Sequence, residues 1–181
     1  MKVVIGTGNT KFEGWFHTQK KNLNLLSIDN FKNLFPNKDV ECFLAEHVWE
    51  HLTYNEGLQA ARNCYQFLKP GGYLRIAVPD KNFRNKDYQN IIKIGGPGPK
   101  EHPAYTHKIV YDYKLLTEVL NKAGFKVNLL EYCDEFGKFH FRYWNPEDGY
   151  IGRSLRFDSR NSTDLIGVVS IIIDAYKEFI L

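Results

Sequence analysis

The chain has 181 residues, of which 43% are hydrophobic and 25% charged, with a formal net charge of +3. That length and composition suit one soluble domain, residues 1–181, around one substantial core. So small a charge, without a concentrated basic stripe, argues against nucleic acid, and no apolar run reaches the length of a membrane-spanning helix, so neither partner is expected. Cys42, Cys64 and Cys133 lack metal-ligand spacing and sit in apolar surroundings, which reads as reduced, buried thiols. Met1-Lys2 leads directly into Val3-Val4-Ile5, no signal peptide is expected, and the expected location is cytoplasmic.

In chain order, Lys2 to Ile5 is a strand candidate followed by Gly6-Thr7-Gly8-Asn9, a glycine turn through which a ligand can approach the backbone amides. Gly14 to Gln19 reads as a second strand, after a connector shorter than the roughly dozen residues a helical crossover needs. Asn22 to Leu26 is a weak third strand, and Ser27 caps a short helix that ends near Phe35. Val40 to Ala45 is an apolar run of strand length, ending in the polar cluster Glu46, His47, Glu50 and His51. Thr53 and Glu56 form a capping box for a helix that buries Leu58, Ala61, Tyr65 and Leu68. Lys69-Pro70-Gly71-Gly72 stops it, and Leu74, Ile76 and Val78 form the next strand, ending at Pro79-Asp80. This strand, helix, strand unit implies a right-handed parallel crossover, with ligands bound beyond the carboxyl ends of the strands.

Residues 81–111 read as a long irregular lid, rich in glycine and proline. From 81 to 108 it carries six bases against two acids, which favours an anionic ligand if it is more than a solvated face. Asp112 caps a further helix closed by Gly124, Lys126 to Tyr132 is a strand, and Lys138 to Trp144 is its antiparallel partner across the turn Asp134 to Gly137. Gly149 to Asp158 is ambiguous. The β-branched run Val168 to Tyr176 reads as a last strand.

With these motifs in place, the chain resembles a class I S-adenosylmethionine-dependent methyltransferase of a small bacterial type. The residues that carry the likeness are IGTGN after the first strand, the GW of the second strand, AEHVWEHL, FLKPGGYLRIAVPD and the helix ending KAGF, within roughly residues 3 to 130. The resemblance implies an α/β, Rossmann-like sheet, mostly parallel with an antiparallel C-terminal edge and a reduced first crossover helix. It implies S-adenosylmethionine as cofactor, with Gly6, Thr7, Gly8 and Asn9 against its methionine part. Thr18 or Gln19 would lie near the ribose, and Glu46 and His47 beside the sulfonium. Gln19 stands where the family usually has a carboxylate, and with the first helices reduced, the C-terminal strand or a second subunit is expected to cover the first strand, so a homo-oligomer is an open expectation.

Methyl transfer needs its reactants aligned and, for a hydroxyl or amine acceptor, a proton removed. His47 and His51 are the candidate bases, with Glu50 orienting one of them and His107 in the lid as a further candidate. The bland reading is that Glu50 and His51 merely cap the next helix and that His107 is exposed. The expected activity is methyl transfer to a small or glycan-type acceptor, anionic if the lid charge is functional. Two other readings stand beside it. One is a non-catalytic S-adenosylmethionine-binding or interaction module of the same fold, suggested by Gln19 and the short first crossover. The other is a metal-dependent hydrolase, because His47-x-x-Glu50-His51 spells an inverted zinc-peptidase pattern. That pattern needs both histidines on one helix. Since the capping box starts the helix after it, no metal site is expected.

Overall fold

The computed structural model describes residues 1–7 and 11–179. Gly8 and Asn9 of the glycine turn lie outside the described residues. Seven strands, β1 (Lys2–Ile5), β2 (Phe16–His17), β3 (Val40–Glu46), β4 (Leu68–Pro79), β5 (Lys126–Cys133), β6 (Phe139–Phe141) and β7 (Ser170–Tyr176), form one sheet. Their order is β2-β1-β3-β4-β7-β5-β6. The first four are mutually parallel. β7 runs antiparallel between β4 and β5, and β6 antiparallel beside β5. The sheet is therefore the Rossmann-like one expected, mostly parallel with an antiparallel C-terminal part.

The two faces of the sheet are covered differently. Val3, Ile5, Phe43, Ala45, Leu74, Ile76 and Val78 point to one face. There they meet helices α1 (Ile28–Leu34), α2 (Tyr54–Phe67) and α4 (Tyr113–Lys122) through Phe31, Ala61, Cys64, Leu116 and Leu120. The caps are those expected: Ser27 accepts from the Asn30 amide, Thr53 and Glu56 form a complete capping box, and Asp112 accepts from the Leu115 amide.

The alternate residues Val4, Leu44, Ala77 and Ile172 point to the opposite face, where no helix packs among the described residues. Trp144, Ile151 and Phe157 of an irregular segment cover them, together with Phe12 and Trp15. β7 is a member of the sheet, so the C-terminal strand does not shield β1 as one arm of the expectation had it.

Polar groups in the sheet hold that segment in place. Arg75 on β4 and Asp174 on β7 are register partners and form a buried pair with Nε–Oδ1 and Nη2–Oδ2 distances of 2.7 and 2.8 Å. The same guanidinium donates to the carbonyls of Asn145 and Gly149 at 2.9 and 2.8 Å and lies 5.1 Å from the centre of the Trp144 ring. Glu131, fully buried on β5, accepts from Trp144 Nε1 and from the Leu155 amide, each at 2.9 Å.

Several sequence expectations need correction. Gly14 to Gln19 contracts to the two residues of β2. Asn22 to Leu26 is not a strand, although Leu23 and Leu25 are buried. Its backbone groups are used otherwise: the Asn22 and Leu23 amides donate to Gln19 O, and Leu25 O accepts from Asn63 Nδ2 on α2 at 2.7 Å. Lys69 to Gly72 does not separate helix from strand, because β4 begins at Leu68 and bulges there, so that Val40 pairs with Leu68 but Cys42 with Tyr73. A Cβ on Gly72 would meet Glu41 O at 2.9 Å, so only glycine fits this bulge. The segment 81–111 is not wholly irregular: it contains α3 (Lys86–Ile92) and a 3-10 turn, Pro103–Thr106. β6 is shorter than expected, and Gly149 to Asp158 forms no strand.

The three cysteines are free and buried, and burial pushes the thiols of Cys42 and Cys133 up to about 12. Among the described residues no helix is long and apolar enough to cross a membrane. Removing one partner of a buried pair strands the other charge, so Asp174→Ala is expected to lower the unfolding free energy by about 3–5 kcal/mol in urea denaturation.

Candidate functional site

The site lies beyond the carboxyl ends of β1 and β3, where the chain changes direction. His47 leaves β3 with a φ of 54°, a left-handed conformation uncommon for a residue other than glycine, and its amide is still bound to Ala77 O at 2.9 Å. Trp49–His51 then makes a single 3-10 turn before Leu52 and the capped start of α2. His47 and His51 therefore do not share a helix, and the peptidase pattern is not built.

Gly6 turns at a φ of 64°, and a Cβ there would touch Val48 Cγ2 at 3.0 Å. Glycine is needed both for the turn and for the close approach of the two strand ends. Two clefts meet at this point. One, of about 460 Å³, opens on the helix-free side between Gly6, Thr7, Glu46, Tyr150, Gly152 and Arg153. The other, of about 520 Å³, opens on the helical side between Gly6, Lys20, Leu25, Leu26 and Val48. His47 lines both. A third cleft of about 510 Å³ lies between His47, Glu50, His51 and the segment bearing α3 and His107, with Arg153 at its rim. The larger cleft of about 690 Å³ between α4, β5 and β6 is lined by none of these residues.

Glu46 is committed to the fold. Its carboxylate accepts the Gly152 and Arg153 amides at 3.2 and 2.7 Å and so clamps the covering segment to the end of β3. Thr18 is 1% exposed and its hydroxyl donates to Val4 O at 2.9 Å. Gln19 is exposed, its amide bound to Asn22 Oδ1 at 2.6 Å. Among the described residues neither lines any of these three clefts, whereas Lys20 lines the second. Asp80, expected on the functional edge, is fully buried and accepts the amides of Cys133 and Asn82 at 2.6 and 2.8 Å.

The expected catalytic residues gather into one wall. His47 places Nε2 2.9 Å from Ser170 Oγ and Nδ1 3.4 Å from Glu50 Oε1. Burial, with Arg153 second, holds His47 well below the usual histidine range, and burial pushes Glu50 up to about 8. Their contact thus joins two neutral groups near pH 7. Both Glu50 carboxyl oxygens are buried without a hydrogen-bond partner. His51 Nδ1 lies 2.8 Å from Thr106 Oγ1, and its ring stands 5.0 Å from that of His107. His107 is buried, contrary to the bland reading of an exposed loop histidine, with Nδ1 3.0 Å from Ile92 O. Burial lowers the pKa of both histidines, so they too are neutral.

Sequence reading missed Tyr150, Gly152, Arg153 and Ser170. No pattern marks them, because the segment from 144 to 158 has no regular element beyond the 3-10 turn Pro146–Asp148 and is held at the site by residues remote in sequence, Arg75, Glu131 and Glu46 among them.

The fold is shared with solved S-adenosylmethionine-dependent methyltransferases. One from Archaeoglobus fulgidus aligns over 97% of this chain and 85% of its own, at 17% identity and a TM-score of 0.55. One from Thermotoga maritima aligns over 98% and 82%, at 14% identity and a TM-score of 0.53. One from Methanosarcina mazei aligns over 99% and 83%, at 13% identity and a TM-score of 0.52. No protein-family model and no curated protein sequence matches the chain. At identities this low the likeness is one of fold.

The clamp at Glu46 has a direct readout. Removing a charged acceptor costs each amide about 1.5–3 kcal/mol of hydrogen bonding. In Glu46→Ala, hydrogen exchange at the Gly152 and Arg153 amides is expected to speed up by about tenfold or more, with the α2 amides unchanged.

Proposed function

We propose that this protein is an S-adenosylmethionine-dependent methyltransferase acting on a small or glycan-type acceptor. The observation that carries the reading is the meeting of two ligand-sized clefts at Gly6 and His47, beyond the carboxyl ends of adjacent parallel strands, in a fold shared with such enzymes. Open parallel sheets bind ligands at this edge.

In this reading Gly6 and Thr7, with Gly8 and Asn9, border the methionine part of the cofactor. Lys20, Leu25, Leu26 and Val48 border the adenosine, on the half-apolar wall that a purine requires. The carboxylate of Glu46 and the ring of His47 face the sulfonium. S-adenosylmethionine supplies an electrophilic methyl group on a cationic sulfur. The protein's own part is to align the acceptor, exclude water and receive the acceptor's proton.

The acceptor belongs in the third cleft, against the wall of His47, Glu50, His51 and His107, with the segment 81–111 as its outer side. The proton of an acceptor hydroxyl or amine leaves toward this wall. Arg153, exposed where two clefts adjoin, favours an acceptor with an anionic group. The acceptor and this residue assignment belong to the proposal, as does action in the cytoplasm.

A second reading, a non-catalytic binding module of the same fold, has one observation in its favour. The ribose position carries no acid, and Thr18 and Gln19, its expected substitutes, line neither cleft. This reading predicts binding without turnover.

Calorimetric titration with S-adenosylmethionine and with S-adenosylhomocysteine tests the proposal. Micromolar binding of both is expected. The Cβ position on Gly152 has no neighbour closer than 3.6 Å, so Gly152→Trp is tolerated by the backbone and fills the cleft; it is expected to weaken both ligands at least about tenfold. No binding of either at millimolar concentration would sink the reading. Binding with no methyl transfer to any acceptor in a broad hydroxyl and amine screen would favour the binding module.

A further inference from the structure

The wall of the third cleft contains a group that nothing in the methyl-transfer reading satisfies. Glu50 is 2% exposed, and among the described residues it is the one carboxylate with both oxygens buried and without a hydrogen-bond partner. An unpartnered buried carboxyl costs stability and persists where something else meets it. The His47 contact, Nδ1 to Oε1 at 3.4 Å, does not do so, because it lacks the geometry of a hydrogen bond.

The neighbouring histidines are held in a specific way. His107 Nδ1 faces the carbonyl of Ile92, which only accepts, so the ring proton is on Nδ1 and the Nε2 lone pair is free. His51 Nδ1 is likewise engaged by an oxygen, the Thr106 hydroxyl at 2.8 Å, so Nε2 is its remaining ring nitrogen; with the Thr106 proton turned to Pro103 O, 3.4 Å away, Nδ1 donates and the Nε2 lone pair is open. An imidazole whose Nδ1 proton is tied to an oxygen acceptor is the arrangement in which Nε2 ligates a metal. One donor atom each from Glu50, His51 and His107 lies within 4.8 Å of the others. The backbone also braces the cluster, with the Lys108 amide donating to Glu50 O at 2.8 Å.

We propose that Glu50, His51 and His107 bind one divalent transition-metal cation, with the remaining coordination positions open to the third cleft. Two imidazoles and a carboxylate suit zinc, manganese, iron or cobalt rather than magnesium or calcium, which prefer all-oxygen sites. Ligation at about 2.0–2.2 Å draws the three donors inward through small side-chain rotations, which His51, the most open of them, permits. The set is not the His47-x-x-Glu50-His51 pattern of the sequence: His47 stays outside it and His107 comes from the segment beyond β4. The cation would satisfy the Glu50 carboxylate, whose isolation has no other account in the fold.

The cation site holds whether or not the protein transfers methyl groups. Its consequence for substrate rests on the methyl-transfer reading: the open positions face the acceptor cleft and select an acceptor with an oxygen ligand, a hydroxyl or carboxylate, over a purely amine one.

The test uses the 181-residue protein stripped with a chelator and dialysed, with no cofactor or acceptor present, so that it is independent of the methyl-transfer reading. Zinc chloride is titrated calorimetrically and cobalt chloride by visible absorption. The expected result is one equivalent bound at micromolar affinity or tighter, with ligand-field bands from cobalt. Glu50→Gln keeps the shape of the side chain and removes a buried acid, so it folds; it and His51→Ala are each expected to weaken binding by at least about tenfold. His140→Ala, on β6, is expected to bind as the parent does. No saturable binding by the parent protein would overturn the proposal, as would unchanged affinity in both Glu50→Gln and His51→Ala, which would assign the ion to adventitious surface histidines.

Discussion

The buried pair between Arg75 and Asp174 is the interaction on which the architecture turns. An α/β sheet with α-helices on one face only leaves the other face to be covered by something, and here the cover is a segment with no α-helix or strand and a single 3-10 turn. Such a segment has unpaired amides and carbonyls along its length, and each must find a partner when buried. The sheet supplies them. Arg75 is fixed by Asp174 in the neighbouring strand through Nε and Nη2, and its Nη1 donates to both the Asn145 and Gly149 carbonyls. Glu131 and Glu46 take up the amides of Leu155, Gly152 and Arg153. Charged residues in the middle of a sheet here do what helix packing does on the opposite face.

This arrangement determines the shape of the site. Because Glu46 is engaged in clamping the cover, Tyr150, Gly152 and Arg153 are carried to the ends of β1 and β3 and form one side of a cleft there. Because β3 ends in a left-handed residue and a tight 3-10 turn, Glu50 is directed inward rather than along α2, and its carboxyl is buried beside His51 and His107. The site is therefore built on the rigid ends of strands, and the segment 81–111 contributes the remaining histidine from a short turned stretch docked by the bond between Lys108 and Glu50.

Much of this was legible locally. The capping box at Thr53, the caps at Ser27 and Asp112, the apolar run of β3 and the β-branched run of β7 each carry a local signal, and the structure contains every one of these elements. What depends on distant partners was not legible. Leu23 and Leu25 alternate like a strand, but Asn63, far along the chain, takes the carbonyl that a strand would pair. The run from Val168 to Tyr176 announces a strand without saying that it inserts between β4 and β5. Asp174 and Glu131 read as polar interruptions of strands, and nothing near them says that they hold a remote segment. His107 reads as a loop residue because its partners are a carbonyl in α3 and a ring beyond β3.

The central claim is that a nucleoside-bearing ligand sits across the ends of β1 and β3. Amide chemical-shift mapping of isotopically labelled protein titrated with S-adenosylhomocysteine tests it most directly. The account predicts that the largest changes fall on Gly6, Thr7, Lys20, Val48 and Gly152, at the two clefts that meet there. Changes centred instead on Thr117, Asn128 and Arg142, around the larger cleft beside β6, or no changes at saturating ligand, would contradict it.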